Sequence, residues 1–444
     1  MRWFPALFLM ACTPDALDSD APAGPEGLAV VHQGDPERAE AGMRWLTGET
    51  AGNWGFPLVG FQALGFVTGG GGLLSNEELW TLMVERYGFV PNPEGSTLPP
   101  LGVRLADAST LQITCLSCHA DRVGGETIVG TGNGSIDMEF LASDLTVLAD
   151  MAGIDTPMSL DGFNGGPGSH DAWGLGYKLT VDSYPGGENV NTDYGFQQAP
   201  AWWSRRYKEK LYTDGSGSAD GVRTMAAMYL GYGASLDQIQ AMEADTEDAW
   251  HTMVLLESPA WPFGGIDAEL ASQGEQVFET TCARCHGSYS GGVYPNQVVA
   301  RAEIGTDPLR SEAMGPDEAA WIQNGWFGGD STFEATDGYL APVLHGVWAT
   351  APYFHNGSVP TIADVLNSTG RPAAWQKTGR DAEDYDQERV GLKFDEVDPG
   401  SVGGDAARKV TDTTKEGMSN AGHTFGDALS DDDRRAVLEY LKQL

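Results

Sequence analysis

Two short motifs hold most of the side chains in this chain that could do redox or metal chemistry. "TTCARCHGSY" occupies residues 280–289, and "ITCLSCHADR" repeats its core at residues 113–122. Each contains a Cys-x-x-Cys-His run, and the two runs comprise Cys115, Cys118, His119, Cys282, Cys285 and His286. Two thiols about one turn apart fit the two vinyl groups of a haem, and the adjacent imidazole can bind the iron. The motifs therefore predict two covalently bound haem c groups, with His119 and His286 as iron ligands.

The cysteine count disfavours other uses of these thiols. The chain has five cysteines, and all four beyond Cys12 lie in the two motifs. A zinc site would have to join two pairs far apart in sequence, whereas zinc-ribbon pairs usually lie within about 20 residues of each other. A thioredoxin-like exchange site explains a Cys-x-x-Cys pair but not the histidine that follows it twice.

The sixth coordination position of each haem iron decides between electron transfer and catalysis. The remaining histidines are His32, His170, His251, His345, His355 and His423. His355, in "TAPYFHNGSVPT", and His423, in "SNAGHTFG", have the Gly- and Pro-bounded settings typical of ligand loops. Met314 and Met418 are thioether alternatives, although core packing explains most methionines.

Charge and composition limit the partners. The 444 residues carry a formal net charge of −37 at pH 7, so a nucleic acid would be repelled. A basic redox protein, such as a basic cytochrome, or an uncharged small-molecule or polymer substrate suits this surface better. The 59 glycines and 24 prolines predict long loops between short elements.

The first residues resemble an export signal. "MRWFPALFLMAC" has an apolar run far shorter than the roughly 20 residues that a membrane-spanning helix needs. Leu9-Met10-Ala11-Cys12 resembles a bacterial lipobox, which predicts a signal over residues 1–12, acylation of Cys12 and a flexible tether over residues 13–30. We expect a lipoprotein of the cell envelope or periplasm, in contact with the membrane only through this lipid; a cleaved soluble form or a misplaced start is the alternative.

Helical patterns surround both motifs. Helices are predicted in "SNEELWTLMVERYG", "GVRTMAAMYLGYG", "SLDQIQAMEADTEDAWHTMVLLE", "DAELASQGEQVFETTCARCH" and "LSDDDRRAVLEYLKQL". "SPAWPFGG" is typical of a boundary. The predicted fold is mainly α, with two cytochrome-c-like haem domains, residues 31–260 and 261–444, each elaborated by Gly- and Pro-rich loops and insertions.

Several segments carry a family resemblance. "GEQVFETTCARCHG", "AEIGTDPLRSEAM", "LHGVWATAPYFHNGSVPTIADVLN" and the final helix resemble the bacterial di-haem cytochrome c peroxidase superfamily, and within it the rubber-oxygenase-like di-haem cytochromes. "QITCLSCHADRVGGETIVGTGNGSID" and "APAWWSRRYKEKLYTDGSGSADG" resemble the N-terminal half of the same branch. The resemblance covers about residues 75–444.

The resemblance implies a division of labour between two haems that face the domain interface. The haem at His119 would have an open or labile sixth site for peroxide or dioxygen, and the haem at His286 would relay electrons. His423 matches the distal ligand of the second haem in the rubber-oxygenase branch, with His355 as the alternative. Relatives also hold calcium between the domains, so calcium is a further expected cofactor.

The chain departs from the peroxidase pattern at two places. Peroxidases of this superfamily have a methionine about fourteen residues after the Pro-Tyr-x-His motif, whereas this chain has Thr369 near that place. Their Trp-Asp-Gly-Arg segment and distal glutamate correspond to Tyr212–Ser216 and to Asp220, a shorter carboxylate that would have to act through water. Plain peroxide removal is therefore less favoured than an oxygenase-like or protein-modifying reaction.

Aromatic residues could carry electrons between the haems. The candidates are Trp173, Trp202, Trp203 and Trp348, although most tryptophans belong to the core.

The leading hypothesis is an envelope oxidoreductase with peroxide or dioxygen chemistry at the first haem. The alternatives are an electron-transfer cytochrome with both irons six-coordinate, and a haem sensor or structural subunit.

Overall fold

Short helices joined by long loops make up most of this chain. The computed structural model describes residues 27–48, 54–154, 165–170, 195–227, 229 and 234–444. Its α-helices are α1 Pro36–Thr47, α2 Leu58–Gln62, α3 Asn76–Tyr87, α4 Met138–Met151, α5 Leu236–Ala241, α6 Glu243–Leu255, α7 Ala268–Thr281, α8 Ala283–His286, α9 Arg301–Ile304, α10 Leu309–Glu312, α11 Pro316–Asn324, α12 Ile362–Leu366 and α13 Asp431–Leu441. Shorter 3-10 helices are Ala63–Phe66, Cys115–Ser117, Trp202–Tyr207, Arg223–Ala226, Trp326–Gly328, Val347–Thr350, Ser368–Gly370, Ala382–Asp384 and Gly404–Lys409.

The strands are short and antiparallel, and they form small sheets rather than a core layer. They are β1 Phe56–Pro57, β2 Val103–Leu105, β3 Thr110–Ile113, β4 Ala120–Val123, β5 Glu126–Val129, β6 Ser169–His170, β7 Gln197–Gln198, β8 Lys210–Leu211, β9 Gly217–Ser218, β10 Val298–Ala300, β11 Gly338–Leu340, β12 Ala374–Lys377, β13 Tyr385–Asp386, β14 Gly391–Leu392, β15 Phe394–Glu396 and β16 Thr411–Asp412. The three-stranded sheets have the orders β1-β3-β2 and β15-β12-β16, and the others pair two strands each.

Each half of the chain contains a closely packed helix pair built on a glycine. Helix α1 packs on α6 at Gly42, where a Cβ atom would collide with the Asp248 carbonyl. Helix α7 packs on α13 at Gly274, where a Cβ atom would collide with the Ala436 carbonyl. In both pairs the missing side chain lets two helix backbones approach each other.

Two large hydrophobic cores hold the halves together, and neither is confined to one side of residue 260. The first contains Cys115 and Cys118 together with a returning C-terminal segment that includes Met314, Ile322 and Phe333. The second is built mainly from C-terminal residues but also takes in Trp203 from the N-terminal half. Each core therefore contains residues from both halves of the chain.

The predicted helices are present wherever the structure describes them, with one change of type. Helix α3 begins at the capping box formed by Ser75 and Glu78, and it ends at Gly88, whose φ is 77°. Ser430 caps α13 through its side chain. The pattern at residues 221–233 instead begins with the 3-10 helix Arg223–Ala226, and part of it lies outside the described residues. Among the described residues, no helix is both long and apolar enough to cross a bilayer.

Candidate haem sites

The second Cys-x-x-Cys-His motif sits at the end of a long helix. Helix α7 is capped by Asp267 and runs directly into Cys282, whose backbone N–H donates to Phe278 at 2.7 Å. The backbone N–H of His286 donates to Cys282 at 3.1 Å, so the motif continues the helical path. Nδ1 of His286 lies 2.8 Å from the Pro342 carbonyl oxygen. This contact fixes the ring orientation and leaves Nε2 for a metal.

A second imidazole faces His286. The rings of His286 and His423 have centroids 6.3 Å apart. Two imidazoles bound on opposite sides of one metal, at about 2 Å per bond, have ring centroids roughly 6 Å apart. Nδ1 of His423 is buried without a hydrogen-bond partner, and burial lowers the pKa of this ring to about 4. The pair therefore fits a haem iron held between two neutral imidazoles.

The loop that carries His423 is held in an unusual conformation. His423 has a φ of 45°, which a non-glycine residue adopts rarely. Its backbone N–H donates to Ile304 at 2.6 Å, and the preceding Gly422 lies against the backbone of Gly305. Arg371 donates to the carbonyls of residues 420, 422 and 423 at 2.6, 2.7 and 3.3 Å. These contacts fix the direction in which the imidazole points.

Apolar side chains surround this second site. Cys285 packs in a small buried cluster with Val299, Ile304, Tyr339 and Ala341. Phe425 packs against the same cluster, and its ring centroid lies 5.1 Å from that of His423. Such a wall suits the apolar faces of a porphyrin.

The first motif has a different backbone setting. It follows strand β3 as the 3-10 helix Cys115–Ser117, and the His119 backbone N–H donates to Cys115 at 3.0 Å. Asn133 stabilises this turn through two hydrogen bonds. Its backbone N–H donates to the Cys118 carbonyl at 2.8 Å, and its side-chain amide donates to the Ser117 carbonyl at 2.9 Å. Both cysteines are buried in the first core.

The electrostatics of the four motif thiols disfavour thiolate chemistry. They form no disulfide, and burial raises the pKa of each, to about 12 for Cys118 and Cys282. Metal binding and disulfide exchange need the thiolate form, which this burial opposes. Thioether formation removes the ionisable proton, so the buried setting fits haem attachment. No group of three or more His, Cys, Asp or Glu side chains is placed to hold a metal ion within the described ranges.

The ring of His119 lies against Trp202. Their centroids are 4.8 Å apart and the ring planes are inclined by 27°. Gly130 links the two residues, because its N–H donates to His119 at 2.8 Å and its carbonyl accepts from Trp202 at 2.8 Å. The imidazole that follows the first cysteine pair is therefore held by an aromatic stack.

A cavity of about 280 Å³ opens beside the first motif. Its lining side chains are mostly apolar and include both thiols and the imidazole of that motif; the whole set is Cys115, Cys118, His119, Gln197, Gln198, Ala199, Pro200, Ala201, Trp202, Ser204, Arg205, Lys208, Leu211, Tyr212, Thr213, Thr224, Met225, Ala227, Met253, Trp321, Ile322, Phe327, Leu340 and Pro342. Converging thiols, imidazole and apolar walls fit a covalently attached haem. Among the described residues, this lining contains no carboxylate and no histidine besides His119.

Three ionisable side chains besides the motif residues line this cavity. Burial lowers the pKa of Arg205 to about 10 and raises the pKa of Tyr212 to about 12. Burial, followed by the charge of Arg205, lowers the pKa of Lys208 to about 8. The polar chemistry available in the cavity is therefore basic rather than acidic.

Three other residues that the sequence singled out, Asp220, His355 and Trp348, lie in three different surroundings. Asp220 is exposed and is not among the described residues that line the cavity, so its action through water on a haem-bound ligand stays a prediction. His355 stacks on Tyr339 at 4.0 Å between centroids, and no ring contact joins it to His286 among the described residues. Trp348 donates to the Pro259 carbonyl within an aromatic cluster of the second core.

Two adjacent tryptophans belong to different cores. Trp202 packs in the first core, and Trp203 packs in the second, where its indole N–H donates to the His345 carbonyl at 2.7 Å.

The two candidate thioether ligands, Met314 and Met418, are both buried. Met314 packs in the first core, and Met418 accepts a contact from Ser169 Oγ at 3.6 Å. Trp173 and Cys12 lie outside the described residues.

Sequence reasoning missed several residues that shape the two sites. Pro342, Arg205 and Lys208 carry no motif of their own, and each acts through contacts with residues distant in the chain. One available signal was the run "RRYKEK", an uncommon cluster of cations in a strongly acidic chain.

The chain is similar to proteins of known sequence. Residues 338–376 match the sequence model of the RoxA-like, cytochrome c-like family. The chain is 29% identical over 260 residues to the uncharacterized protein y4iJ of Sinorhizobium fredii (strain NBRC 101917 / NGR234), covering 43% of this chain and 41% of that protein. It is 28% identical over 294 residues to y4iM of the same strain, covering 55% and 63%. It thus spans less than two thirds of the length of either relative.

Two solved structures are distant neighbours. Kuenenia stuttgartiensis hydrazine synthase, pressurized with 20 bar xenon, gives a TM-score of 0.25 at 16% identity, covering 56% of this chain and 73% of that chain. A MauG-like protein associated with microbial copper homeostasis gives 0.29 at 14% identity, covering 65% and 94%. Scores this low say nothing about the activity of this chain.

The family match falls on the second site. Residues 338–376 include Tyr339, Pro342 and His355, and a cytochrome c-like segment implies covalently bound haem c. Over these residues the chain resembles the RoxA-like, cytochrome c-like family, which confirms the resemblance to RoxA-like cytochromes seen in the sequence.

Proposed function

We propose that this chain is a di-haem c-type oxidoreductase in which a small oxidant, peroxide or dioxygen, reacts at the haem of His119, while the haem of His286 supplies or stores electrons. One observation carries the proposal. His286 faces a second imidazole at a centroid distance of 6.3 Å, whereas His119 adjoins a cavity with no other histidine among the described residues of its lining. One iron would have both axial positions filled, and the other would keep one open.

The residues of the first cavity would position and shield the reactants. A haem bound there would supply an iron that can change oxidation state and take a sixth ligand. Trp202 orients the His119 ring by stacking, and the apolar walls formed by residues such as Ile322 and Phe327 exclude water. Such dry surroundings strengthen every polar contact to a bound ligand.

The second site would serve as an electron relay. Pro342 holds the His286 ring, and Arg371 holds the His423 loop, so neither imidazole needs to move when the iron changes charge. Trp202 and Trp203 are adjacent in sequence and belong to different cores, so they are our candidates for the aromatic connection. Trp348 is less suited, because it lies in an aromatic cluster with Trp261 and Tyr385.

A plain electron-transfer cytochrome is the second candidate. Met225 and Met253 both line the first cavity, and a methionine sulfur is a common sixth ligand in cytochromes c. Both sulfurs lie near Arg205 Nη1, at 3.3 and 3.9 Å, which favours their present positions over an iron.

Electron paramagnetic resonance of the oxidised, fully haem-loaded protein distinguishes the two candidates. The oxidoreductase should give one high-spin and one low-spin ferric signal, and its reduced form should bind one carbon monoxide per chain. Two low-spin signals and no carbon monoxide binding in any redox state would leave the electron-transfer cytochrome.

Location, partners and calcium complete the proposal. Haem c chemistry and the lipobox-like sequence around Cys12 favour an envelope or periplasmic lipoprotein, and Cys12→Ser should then abolish labelling by a fatty acid. A net charge of −37 favours a basic redox partner. Calcium between the halves remains an expectation from the resemblance, testable by metal analysis of the purified protein.

A further inference from the structure

The polar groups that line the first cavity are nearly all engaged by the protein itself. Arg205 donates from Nε to the Ala219 carbonyl at 3.1 Å and from Nη2 to the Gly221 carbonyl at 2.7 Å, while its Nη1 lies 3.3 Å from the Met225 sulfur. The Tyr212 hydroxyl donates to Thr224 at 2.8 Å. The hydrogen-bonding atoms of Arg205 and Tyr212 are therefore already used in contacts within the protein, and few of them remain for a ligand.

Lys208 is the contrasting member of the lining. Its backbone is fixed, because its N–H donates to Arg205 at 3.1 Å and its carbonyl lies 2.7 Å from His32 Nε2. Only 8% of the residue is exposed, and the structure gives its amine no hydrogen-bond or ion-pair partner among the described residues. A mostly buried lysine whose amine has no protein partner can offer that amine to a ligand in the cavity.

Gln198 also lines the cavity, but its amide does not face it. Nε2 of Gln198 is buried without a hydrogen-bond partner against Gly357, which is not among the lining residues. The amine of Lys208 is therefore the donor left for an acceptor, and the described lining contains no carboxylate.

We propose that Lys208 is a ligand-binding residue of the first cavity, whose amine donates a hydrogen bond to the negatively charged or electron-rich oxygen of the small oxidant held there. The inference rests on the proposed function, since it needs an oxidant in this cavity. It adds the group that recognises the oxidant.

Burial and the neighbouring charge of Arg205 lower the pKa of Lys208 to about 8. Its proton is therefore more readily given up near neutral pH than that of an ordinary lysine. Because no carboxylate is among the described lining residues, Lys208 is the side chain suited to stabilise negative charge as it develops on oxygen.

A haem propionate is the other source of an anionic oxygen that could reach this amine. The two sources predict different measurements. A donor to the exogenous ligand alters that ligand's affinity and vibrations, whereas a donor to a propionate alters the reduction potential of the haem and leaves a ligand on its open face unchanged.

The experiment compares the haem-loaded wild-type protein with Lys208→Met, Lys208→Arg and Lys210→Met. Lys210 lies two residues away on β8 and does not line the cavity, so it is the matched control. The probes are azide binding to the ferric protein and the C–O stretching frequency of its ferrous carbon monoxide complex.

Loss of a charged hydrogen bond should weaken azide binding about tenfold to a hundredfold in Lys208→Met. The C–O stretch should shift to higher frequency in that variant. Lys208→Arg, which keeps a charged donor, should restore most of the azide affinity, and Lys210→Met should match the wild type.

Azide affinity and C–O stretch that are unchanged in Lys208→Met would overturn the inference. A change confined to the reduction potential would overturn it in favour of a propionate contact. Both results leave the proposed function intact, because the wild-type protein still binds the probes. A wild-type protein that binds neither probe would refute the proposed function, and the inference with it.

Discussion

The second motif ends a fourteen-residue helix and faces another imidazole, whereas the first follows a short strand and opens on a cavity. His286 is oriented by a carbonyl oxygen and His119 by an aromatic ring. The same five-residue pattern therefore serves two settings. What separates them is the surroundings of the motif imidazole: the ring of His286 has His423 at 6.3 Å between centroids, and His119 has a mostly apolar cavity whose described lining includes the unpartnered amine of Lys208.

This difference indicates where specialisation arises. The Cys-x-x-Cys-His residues that would attach a haem are common to both sites, so they would not distinguish the proposed relay from the proposed reactive centre. The distinction lies in loops that arrive from elsewhere in the chain, such as the one that carries His423 and is held by Arg371. Loops on a rigid frame commonly carry function in this way.

Removal of one cysteine pair at a time should have the largest effect. Cys115→Ala/Cys118→Ala should lose one haem together with carbon monoxide binding and keep the low-spin ferric signal. Cys282→Ala/Cys285→Ala should lose the low-spin signal and keep carbon monoxide binding. Haem content and electron paramagnetic resonance of each variant test this, and loss of both haems or of the same signal in both variants would contradict the division of roles.

His423→Ala should change one haem without removing it. Because the imidazole at 6.3 Å is the expected sixth ligand of the His286 haem, its loss should convert the low-spin ferric signal to high spin. The stoichiometry of carbon monoxide binding should rise from one to two per chain. His355→Ala is the control, since His355 stacks on Tyr339, and its low-spin signal should persist. The reverse outcome would move the ligand assignment to His355.

Two glycine substitutions test whether the helix pairs support their sites separately. An added methyl group at Gly274 or Gly42 would meet a backbone carbonyl of the partner helix, so each alanine variant should lose roughly 1–3 kcal/mol of unfolding free energy. Gly274→Ala should first broaden the low-spin signal, because α7 leads directly into Cys282. Gly42→Ala should first weaken carbon monoxide binding.

Gly60→Ala is the control for these variants. Gly60 lies in α2, and an added Cβ atom would have no neighbour within 4 Å. Alanine favours a helix over glycine by about 0.5–1 kcal/mol, so this variant should be neutral or slightly more stable. Denaturant unfolding followed by haem absorbance measures all three variants, and equal losses in all of them would show that the close helix contacts are unimportant.

The sequence predicted the local elements well because their signals are local. The capping box of Ser75 and Glu78 and the cap at Ser430 fix helix starts through residues three positions apart. Both haem motifs are likewise contiguous. The flanking glycine and the family resemblance favoured His423, and the geometry now supports that choice through its position opposite His286.

Long-range features could not be predicted in the same way. Pro342 is 56 residues from His286, and Trp202 meets His119 only through folding around Gly130. Asp220 shows the converse limit of a local signal: its place in a familiar segment suggested a catalytic role, while the structure shows that it is exposed and not among the described residues of the cavity lining. The interleaving of the two cores, with Met314 in the first and Trp203 in the second, also has no local signal.

The smallest effect we predict is a change of azide affinity with pH, which would sharpen the contrast between the two sites. The other titratable lining residues are Cys115, Cys118, His119, Arg205 and Tyr212. Haem attachment would remove the two thiols and the imidazole from titration, while Tyr212, with a pKa of about 12, stays neutral. Arg205, with a pKa of about 10, remains mostly charged below that pH, so Lys208, with a pKa of about 8, should dominate.

The direction of the change follows from the charge of the amine. Lys208 is cationic below its pKa and neutral above it, whereas azide remains an anion, so affinity should fall as pH rises through about 8, by roughly tenfold overall. Hydroxide competes with azide for ferric iron at high pH, and Lys208→Arg corrects for this because its guanidinium keeps its charge. Azide titrations between about pH 6.5 and about pH 9.5 measure both proteins. Identical profiles for wild type and Lys208→Arg would mean that the amine does not face the ligand, and the first cavity would then bind its oxidant by shape and iron alone.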